Sequence, residues 1–317
     1  MNIRYPTVDI IICAHNNKEL TSQCLDSLLD LSYSNFRIIL VDDCSTDNSV
    51  SFLRNKYPFI TIIENKKNLG AAKTRSNGIK LSKAKYIVTM DNDATLSLDW
   101  LTIMVKLMES DERIGQAGGK TLSLDNPKIL VEAGGSMCFR GKGYPIGSGK
   151  SADDEKYNKM REVLYFSTAS TIIRRKAFDD IGGFCDVYYY GYEDTDLSLR
   201  INIAGYKVIY YPEAISHHML STTVSQTIGK KRVYYWMRNR LLIMLRNYEL
   251  KSLLRYLPAN LRFTAGDCFR HPERFIPVLL AWSWIIFHLP IIVRQRRKIN
   301  SFRKVRDSQL HRLFNLD

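Results

Sequence analysis

Asp91-Asn92-Asp93 sets two carboxylates one residue apart, directly after the apolar, β-branched segment Lys85-Tyr86-Ile87-Val88-Thr89-Met90. Such a segment reads as a buried strand, and carboxylates at its end can point together into a cleft. Further along stand Gly191-Tyr192-Glu193-Asp194-Thr195-Asp196-Leu197 and then the pair His217-His218. Hard oxygen donors, an imidazole and a separate acidic cluster suit a divalent cation that holds a diphosphate beside a general base.

The elements that must position these groups follow from periodicity. Residues 8–13, 36–41, 60–63 and 86–90 are short apolar runs that read as strands. Between them Leu20, Cys24, Leu25, Leu28 and Leu29 recur at helical spacing, a second helix ends near Tyr57-Pro58, and a third runs from Gly70 to about Ser82. This βαβαβαβ order predicts a mostly parallel sheet with helices on both faces and ligands at the carboxyl ends of its strands. Asp42 and Asp43 fall at the second such end and Asp91 and Asp93 at the fourth. Residues 115–149 are glycine-rich and read as irregular, residues 163–174 as strands, 194–204 as a helix closed by Gly205, and 207–211 as a short strand ended by Pro212.

The chain of 317 residues is 45% hydrophobic and 25% charged, a composition of folded rather than disordered proteins. Its six cysteines are scattered without a C-x-x-C pair, which fits reduced thiols better than a disulfide framework or a zinc site. No apolar run of the export-signal kind develops before His15. The net charge of +14 is segregated: residues 1–216 hold 27 basic and 27 acidic side chains, residues 217–317 hold 19 and 5. Within the basic third, residues 275–293 carry no formal charge and include Trp282 and Trp284, with Arg270, Arg274, Arg294, Arg296, Arg297 and Lys298 on the flanks. Basic flanks and aromatic anchors favour an anionic membrane surface over nucleic acid, with an interfacial or re-entrant helix as the expected form. The competing reading is an amphipathic helix packed on the protein's own surface.

IIICAHNN (10–17), ILVDDCSTDNS (39–49), NLGAAKTRSNGI (68–79), YIVTMDND (86–93), IGGFCDVYYYGYEDTDLSLRINIAGYKVIYYPEAISHH (181–218) and MRNRLL (237–242) run in one order over roughly residues 5–245. In this they resemble the family 2 glycosyltransferases, which have the nucleotide-sugar-binding GT-A fold. Within that family the chain looks most like the rhamnosyltransferase-like enzymes of bacterial surface polysaccharide assembly. Cys13 departs from the proline that relatives commonly carry in the first loop.

The resemblance implies a catalytic domain over residues 1–220, with a nucleotide-binding half to about 95 and an acceptor half beyond, then a helical, basic, membrane-associating region over 221–317. It implies an inverting transfer from a UDP- or dTDP-sugar to a hydroxyl of a glycan or lipid-linked acceptor, with Mn2+ or Mg2+, at the cytoplasmic face of the cell membrane. Asp93 would bind the metal directly and Asp91 through water, unless Asp91 holds the donor's ribose. His218, or its neighbour His217, would be the third ligand. Asp42 would read the nucleotide base with Asn16 nearby, and Lys73 and Arg75 could face the diphosphate. Asp194, paired with Glu193, would be the base, and Asp196 structural. Helix capping is the rival reading for Asp43, Ser45 and Asp47, and surface solvation the rival for Lys73 and Arg75. One or two of Tyr188, Tyr189, Tyr190 and Tyr192 would line the acceptor site. For the arginines of Arg238-Asn239-Arg240 a surface salt bridge is the default reading and a phosphate contact the alternative.

Two other enzyme classes lack support. A dinucleotide-dependent dehydrogenase and a sugar nucleotidyltransferase both want a glycine-rich first loop, and Cys13-Ala14-His15-Asn16-Asn17 is not one. The remaining alternative is a catalytically degenerate relative serving as a membrane-bound scaffold.

Overall fold

The computed structural model of the chain describes residues 5–219 and 231–314. Strands β1 (Val8–Ala14), β2 (Phe36–Asp42), β3 (Thr61–Glu64) and β4 (Tyr86–Asp91) alternate with helices α1 (Lys18–Leu29), α2 (Ser49–Lys56) and α3 (Ala71–Ile79). β1 pairs in parallel with both β2 and β4, and β2 with β3. Ile10, Ile11 and Ile12 of β1 are all fully buried, as befits a strand covered by helices on both faces.

The second half of the sheet is mixed. After β5 (Ala94–Leu96) and α4 (Trp100–Ser110) come β6 (Ile114–Ser123), β7 (Leu130–Glu132), the hairpin of β8 (Gly135–Met137) and β9 (Gly143–Pro145), β10 (Arg161–Glu162) and β11 (Ser170–Arg174). Helices α5 (Arg175–Asp180) and α6 (Glu193–Ile203) precede the last strand, β12 (Lys207–His218). The sheet order is β10-β12-β6-β11-β4-β1-β2-β3, with β11 antiparallel to both neighbours and β12 parallel to β6.

Three sequence expectations are corrected. Residues 115–149 are not wholly irregular, because β6 occupies the first part as a ten-residue strand. Its glycines serve close packing: a Cβ on Gly118 would stand 2.4 Å from the Phe166 ring, and one on Gly119 1.8 Å from the Ala214 carbonyl oxygen. Pro212 does not end the last strand. β12 runs on to His218, with its register against β6 shifted between Tyr210 and Ile215, so the proline sits in an irregularity where no ladder hydrogen bond is needed. Of residues 163–174, only β11 is strand; the segment before it is loop.

Residues 231–314 are helical, with α7 (Arg232–Asn247), α8 (Leu250–Arg270), α9 (Phe275–Phe287), α10 (Leu289–Phe302) and the short α11 (Asp307–Leu310). The uncharged stretch 275–293 is therefore broken at His288, and a 67° bend separates its two helices. Among the described residues no single helix is long and apolar enough to cross a membrane, whereas this bent pair passes by length and composition. α7 is tied to the sheet domain by buried polar contacts. Asn239 donates to the carbonyls of Tyr190 and Gly191 at 2.7 and 2.8 Å, and Arg238 to that of Val187 at 2.9 Å. Arg238 does not make the surface salt bridge read from sequence: it is 5% exposed and holds the backbone of the tyrosine-rich loop.

Candidate functional site

Parallel pairing sets Ala14 beside Asp42 and Cys13 beside Asp91, so β1, β2 and β4 end at one level and their loops open together. There, at the carboxyl edge of the sheet, lies a cavity of about 500 Å³. Asp91 and Asp93 line one side, Glu193 and Asp194 another. His218 arrives through the sheet: β5, which starts directly after Asp93, pairs antiparallel with β12 and sets His218 opposite Ala94. His218 Nε2 lies 3.1 Å from Asp93 Oδ1 and 3.9 Å from Asp91 Oδ2. One ligand atom from each of the three residues falls within 4.8 Å of the others. Two carboxylates and an imidazole are a donor set that suits Mn2+ or Mg2+. His217, its side chain on the opposite face of β12, stays outside this group.

Arg75 joins the two acidic sides. It is 2% exposed, donates from Nη2 to Asp91 Oδ1, and sets Nη1 3.5 Å from Glu193 Oε1. Burial opposes its charge, but Asp91, Cys13 and Glu193 outweigh that effect and hold its pKa above the ordinary arginine value. Among the described residues its Nε and the second Glu193 oxygen find no hydrogen-bond partner, so part of the buried polar capacity is uncommitted.

Glu193 and Asp194 open α6. The residue before them, Tyr192, has φ 72°, a left-handed conformation that a bulky side chain seldom adopts. Asp194 Oδ1 accepts from the Thr195 amide at 2.5 Å and from its hydroxyl at 3.1 Å. Burial pushes the Glu193 carboxyl up to about 7, with the adjacent Asp194 charge adding to it. Burial also raises Asp194, against the hydrogen bonds from Thr195. Burial lowers His218, yet the Asp93 hydrogen bond and the charges of Asp93 and Asp91 leave it above the ordinary histidine value. Asp196 takes no place in the cavity. It is fully buried, 2.8 Å from Arg200 Nε and 2.9 Å from Asn247 Nδ2, with Arg246 closing the ion pair from α7.

Other expected residues are not gathered. Asp42 is buried and accepts from the Ser45 amide at 2.9 Å and from the Ser45 hydroxyl. Its neighbour Asp43 lines the cavity instead, taking the amides of Leu69 and Gly70 at 2.8 and 2.9 Å and Asn65 Nδ2 at 2.9 Å. Asn16 turns its side-chain oxygen to the Thr46 amide at 2.8 Å. Lys73 is exposed, away from the lining of the cavity. Asp47 caps, accepting from the Ser49 amide at 3.1 Å. Of the four tyrosines, Tyr189, Tyr190 and Tyr192 line the cavity, while Tyr188 is buried against Asp196.

His15, Tyr165, Arg232 and Trp236 line the cavity without having been singled out in the sequence. Arg232 and Trp236 lie four residues apart on α7, a spacing that places them on one helix face and was visible beforehand. Tyr165 lies in the part of 163–174 that was read as strand and is loop. Glu132, 4% exposed on β7, was missed too; burial pushes it up to about 7, with the Asp194 charge adding and His218 opposing. Gly70 shows how tightly the rim is built: its φ is 78°, and a Cβ there would stand 2.2 Å from the Tyr189 carbonyl oxygen.

Comparison with known proteins bears on this arrangement. An uncharacterized glycosyltransferase of Haemophilus influenzae is 31% identical over 116 residues, 36% of each chain. The amylovoran biosynthesis glycosyltransferase AmsB of Erwinia amylovora is 26% identical over 236 residues, 72% of this chain and 75% of that one. The poly-beta-1,6-N-acetyl-D-glucosamine synthase of Staphylococcus aureus is 23% identical over 253 residues, 76% of this chain and 56% of its own. The chain thus spans about a third of the first relative's length and just over half of the synthase's.

Among solved structures, GalNAc-T7 with UDP, GalNAc and Mn2+ superposes with a TM-score of 0.66 at 13% identity, over 91% of this chain and 58% of that one. TarS 1-349 of S. aureus gives 0.57 at 14%, over 96% and 91%. The mannosyltransferase PcManGT of Pyrobaculum calidifontis, in complex with GDP-Man and Mn2+, gives 0.54 at 15%, over 95% and 86%. At such identities the likeness speaks for the fold alone, and the fold is GT-A with C-terminal helices added. The family model described as Glycosyl transferase family 2 matches residues 9–182, from β1 to just past α5. With more than half its length matched and the fold in agreement, the chain belongs to glycosyl transferase family 2.

Proposed function

We propose that this chain is an inverting, metal-dependent glycosyltransferase that moves a sugar from a UDP- or dTDP-sugar to a hydroxyl of a glycan or lipid-linked acceptor in cell-surface polysaccharide synthesis. The observation that carries the reading is the convergence of Asp91, Asp93 and His218 within 4.8 Å, at a cavity whose other side holds Glu193 and Asp194. Asp93 and His218 would hold Mn2+ or Mg2+ with Asp91 completing the set. The ion would supply charge neutralisation for the departing diphosphate.

The chain's own groups account for the rest. Asp194 accepts the proton of the acceptor hydroxyl as its oxygen bonds to the anomeric carbon. On the far side of that carbon, the bond to the diphosphate oxygen breaks and the electron pair leaves with the nucleotide. Attack from the side opposite the leaving group inverts the configuration. Arg75 orients Asp91 and Glu193 with a buried positive charge. Glu193 keeps a negative charge or a proton next to Asp194 according to pH, and so tunes the base. The aromatic wall of Tyr189, Tyr190, Tyr192 and Trp236 offers faces on which sugar rings stack.

The names of the relatives, in amylovoran and poly-N-acetylglucosamine synthesis, support the polysaccharide role. The neighbours solved with UDP or GDP-Man and Mn2+ support the donor type and the ion. Resemblance in the motifs favours a rhamnosyl or hexosyl donor. For the helical third we propose a peripheral or monotopic seat on the cytoplasmic membrane face. Phe275, Ile276, Leu280, Ile286 and Phe287 are exposed there, next to basic α10. In this reading residues 1–220 are catalytic and 221–317 attach the enzyme to its acceptor.

A donor screen tests the proposal. Purified protein with Mn2+ is offered UDP-, dTDP- and GDP-sugars, and released nucleotide diphosphate is measured beside Asp93→Ala and Asp194→Asn. Release from one donor, lost in both variants, is the expected outcome. Absence of turnover together with absence of donor binding by calorimetry would replace this reading with a scaffold.

A further inference from the structure

We propose that a groove between α8 and α9 holds the hydrocarbon chain of a lipid-linked acceptor while the acceptor's sugar lies in the cavity; this rests on the glycosyltransferase reading above. The groove has a volume of about 500 Å³, within the range of small-molecule sites. Leu261, Ala265 and Phe269 line it from α8, and Val278, Leu279 and Trp282 from α9. Among the described residues no charged side chain lines it. It lies beyond residue 182, in the part of the chain that the family model does not match.

The occupant follows from what adjoins the groove. Trp236 lines the cavity, and the same side chain packs in one apolar cluster with Cys268, Val278 and Trp282, all of which line the groove. One apolar cluster therefore adjoins both the cavity and the groove. An amphiphile can lay its apolar end in the groove beside that cluster and its sugar in the cavity. Arg232 lines the cavity one turn of α7 before Trp236, where an anionic linkage between sugar and lipid would pass. Phe269, 89% exposed, and Ile276, 68% exposed, stand at the groove and beside it, so its mouth is apolar, as a surface that meets a membrane would be. A chain drawn from the membrane would enter the groove without crossing solvent.

The test uses the full chain in solution and a farnesyl phosphate bearing a diazirine. After irradiation, labelled peptides are mapped by mass spectrometry. Label is expected on residues 261–282 and is displaced by unlabelled farnesyl phosphate. Ala265→Trp fills the groove from an exposed position, and there labelling falls about tenfold or more while Mn2+-dependent nucleotide binding and vesicle flotation persist. Phe287→Ser, on the exposed face outside the groove, lowers flotation on phosphatidylglycerol vesicles and leaves labelling in place. Labelling unchanged in Ala265→Trp, label centred on residues 286–293, or equal displacement by phosphatidylglycerol would each overturn the proposal. If nucleotide binding is intact when that happens, the donor chemistry stands and only the groove assignment falls.

Discussion

His218 Nε2 sits 3.1 Å from Asp93 Oδ1 because the β5–β12 ladder sets His218 opposite Ala94, the residue that follows Asp93. A backbone register thus gathers the group proposed to bind the metal. The alternating faces of a strand separate the two adjacent histidines. His218→Ala is expected to weaken Mn2+ binding by about tenfold or more, whereas His217→Ala changes it less than about twofold. Calorimetric titration of Mn2+ in the presence of nucleotide checks the pair; equal losses would contradict the assignment. A bound cation needs neutral imidazole, and Asp93 and Asp91 hold His218 above the ordinary 6.5. Affinity for Mn2+ should therefore fall as pH drops through a midpoint above that value.

Glu193 and Asp194 predict the acid limb of the pH–rate profile. Burial and the neighbouring charge place Glu193 at about 7, and Asp194 is raised as well. A base must be unprotonated, so activity should rise with pH as Glu193, at about 7, and the raised Asp194 lose their protons. Glu193→Gln removes one negative charge beside Asp194 and should move that limb to lower pH. Asp194→Asn should lower kcat by about 10²–10⁴ while nucleotide binding is retained. A limb unmoved in Glu193→Gln would separate Glu193 from the base.

The carboxyl-end acids and the βαβ frame were readable because a buried parallel strand is a short apolar run and a covering helix repeats every three to four residues. Glu193-Asp194 was readable at a helix start for a related reason. What could not be read depended on contacts distant in sequence. Gly118 and Gly119 look like loop residues until the Phe166 ring and the Ala214 carbonyl are placed against them. Asp42 and Asp43 are indistinguishable as letters. The left-handed turn at Cys44, φ 66°, accompanies the split in which Ser45 occupies Asp42 and Asp43 lines the cavity. The apolar cluster at Trp236 needs α7, α8 and α9 assembled before it exists.

Asp196 gives the strongest stability prediction. Burial alone would raise its carboxyl, but Arg200 and Arg246 hold it below the ordinary value, with Asn247 helping. Asp196→Ala leaves two buried guanidinium groups without their counter-charge, and should cost about 3–5 kcal/mol in urea unfolding. A carboxyl lowered in the folded state stabilises above its unfolded pKa of about 3.9, and that contribution is lost as pH falls through the folded value. The difference between wild type and Asp196→Ala should therefore narrow in acid. A difference that stays constant would mean that packing, not charge, is what Asp196 supplies.

The basic third predicts a salt-sensitive seat on anionic lipid. Arg294 and Arg297 are exposed on α10, close in sequence to the exposed Ile291 and Val293. Each basic residue near an anionic surface contributes about 1 kcal/mol, and the attraction is screened beyond a Debye length of about 8 Å in physiological salt. Reversing both, as Arg294→Glu with Arg297→Glu, should lower flotation on phosphatidylglycerol vesicles by about tenfold or more at low ionic strength, and by less as salt is raised. On neutral vesicles the double variant should match wild type, because the apolar residues of α9 remain. Equal loss on both kinds of vesicle would show that the substitutions disturb the helices rather than the charge, since Arg296, between them, donates to the Leu245 carbonyl at 2.8 Å and ties α10 to α7.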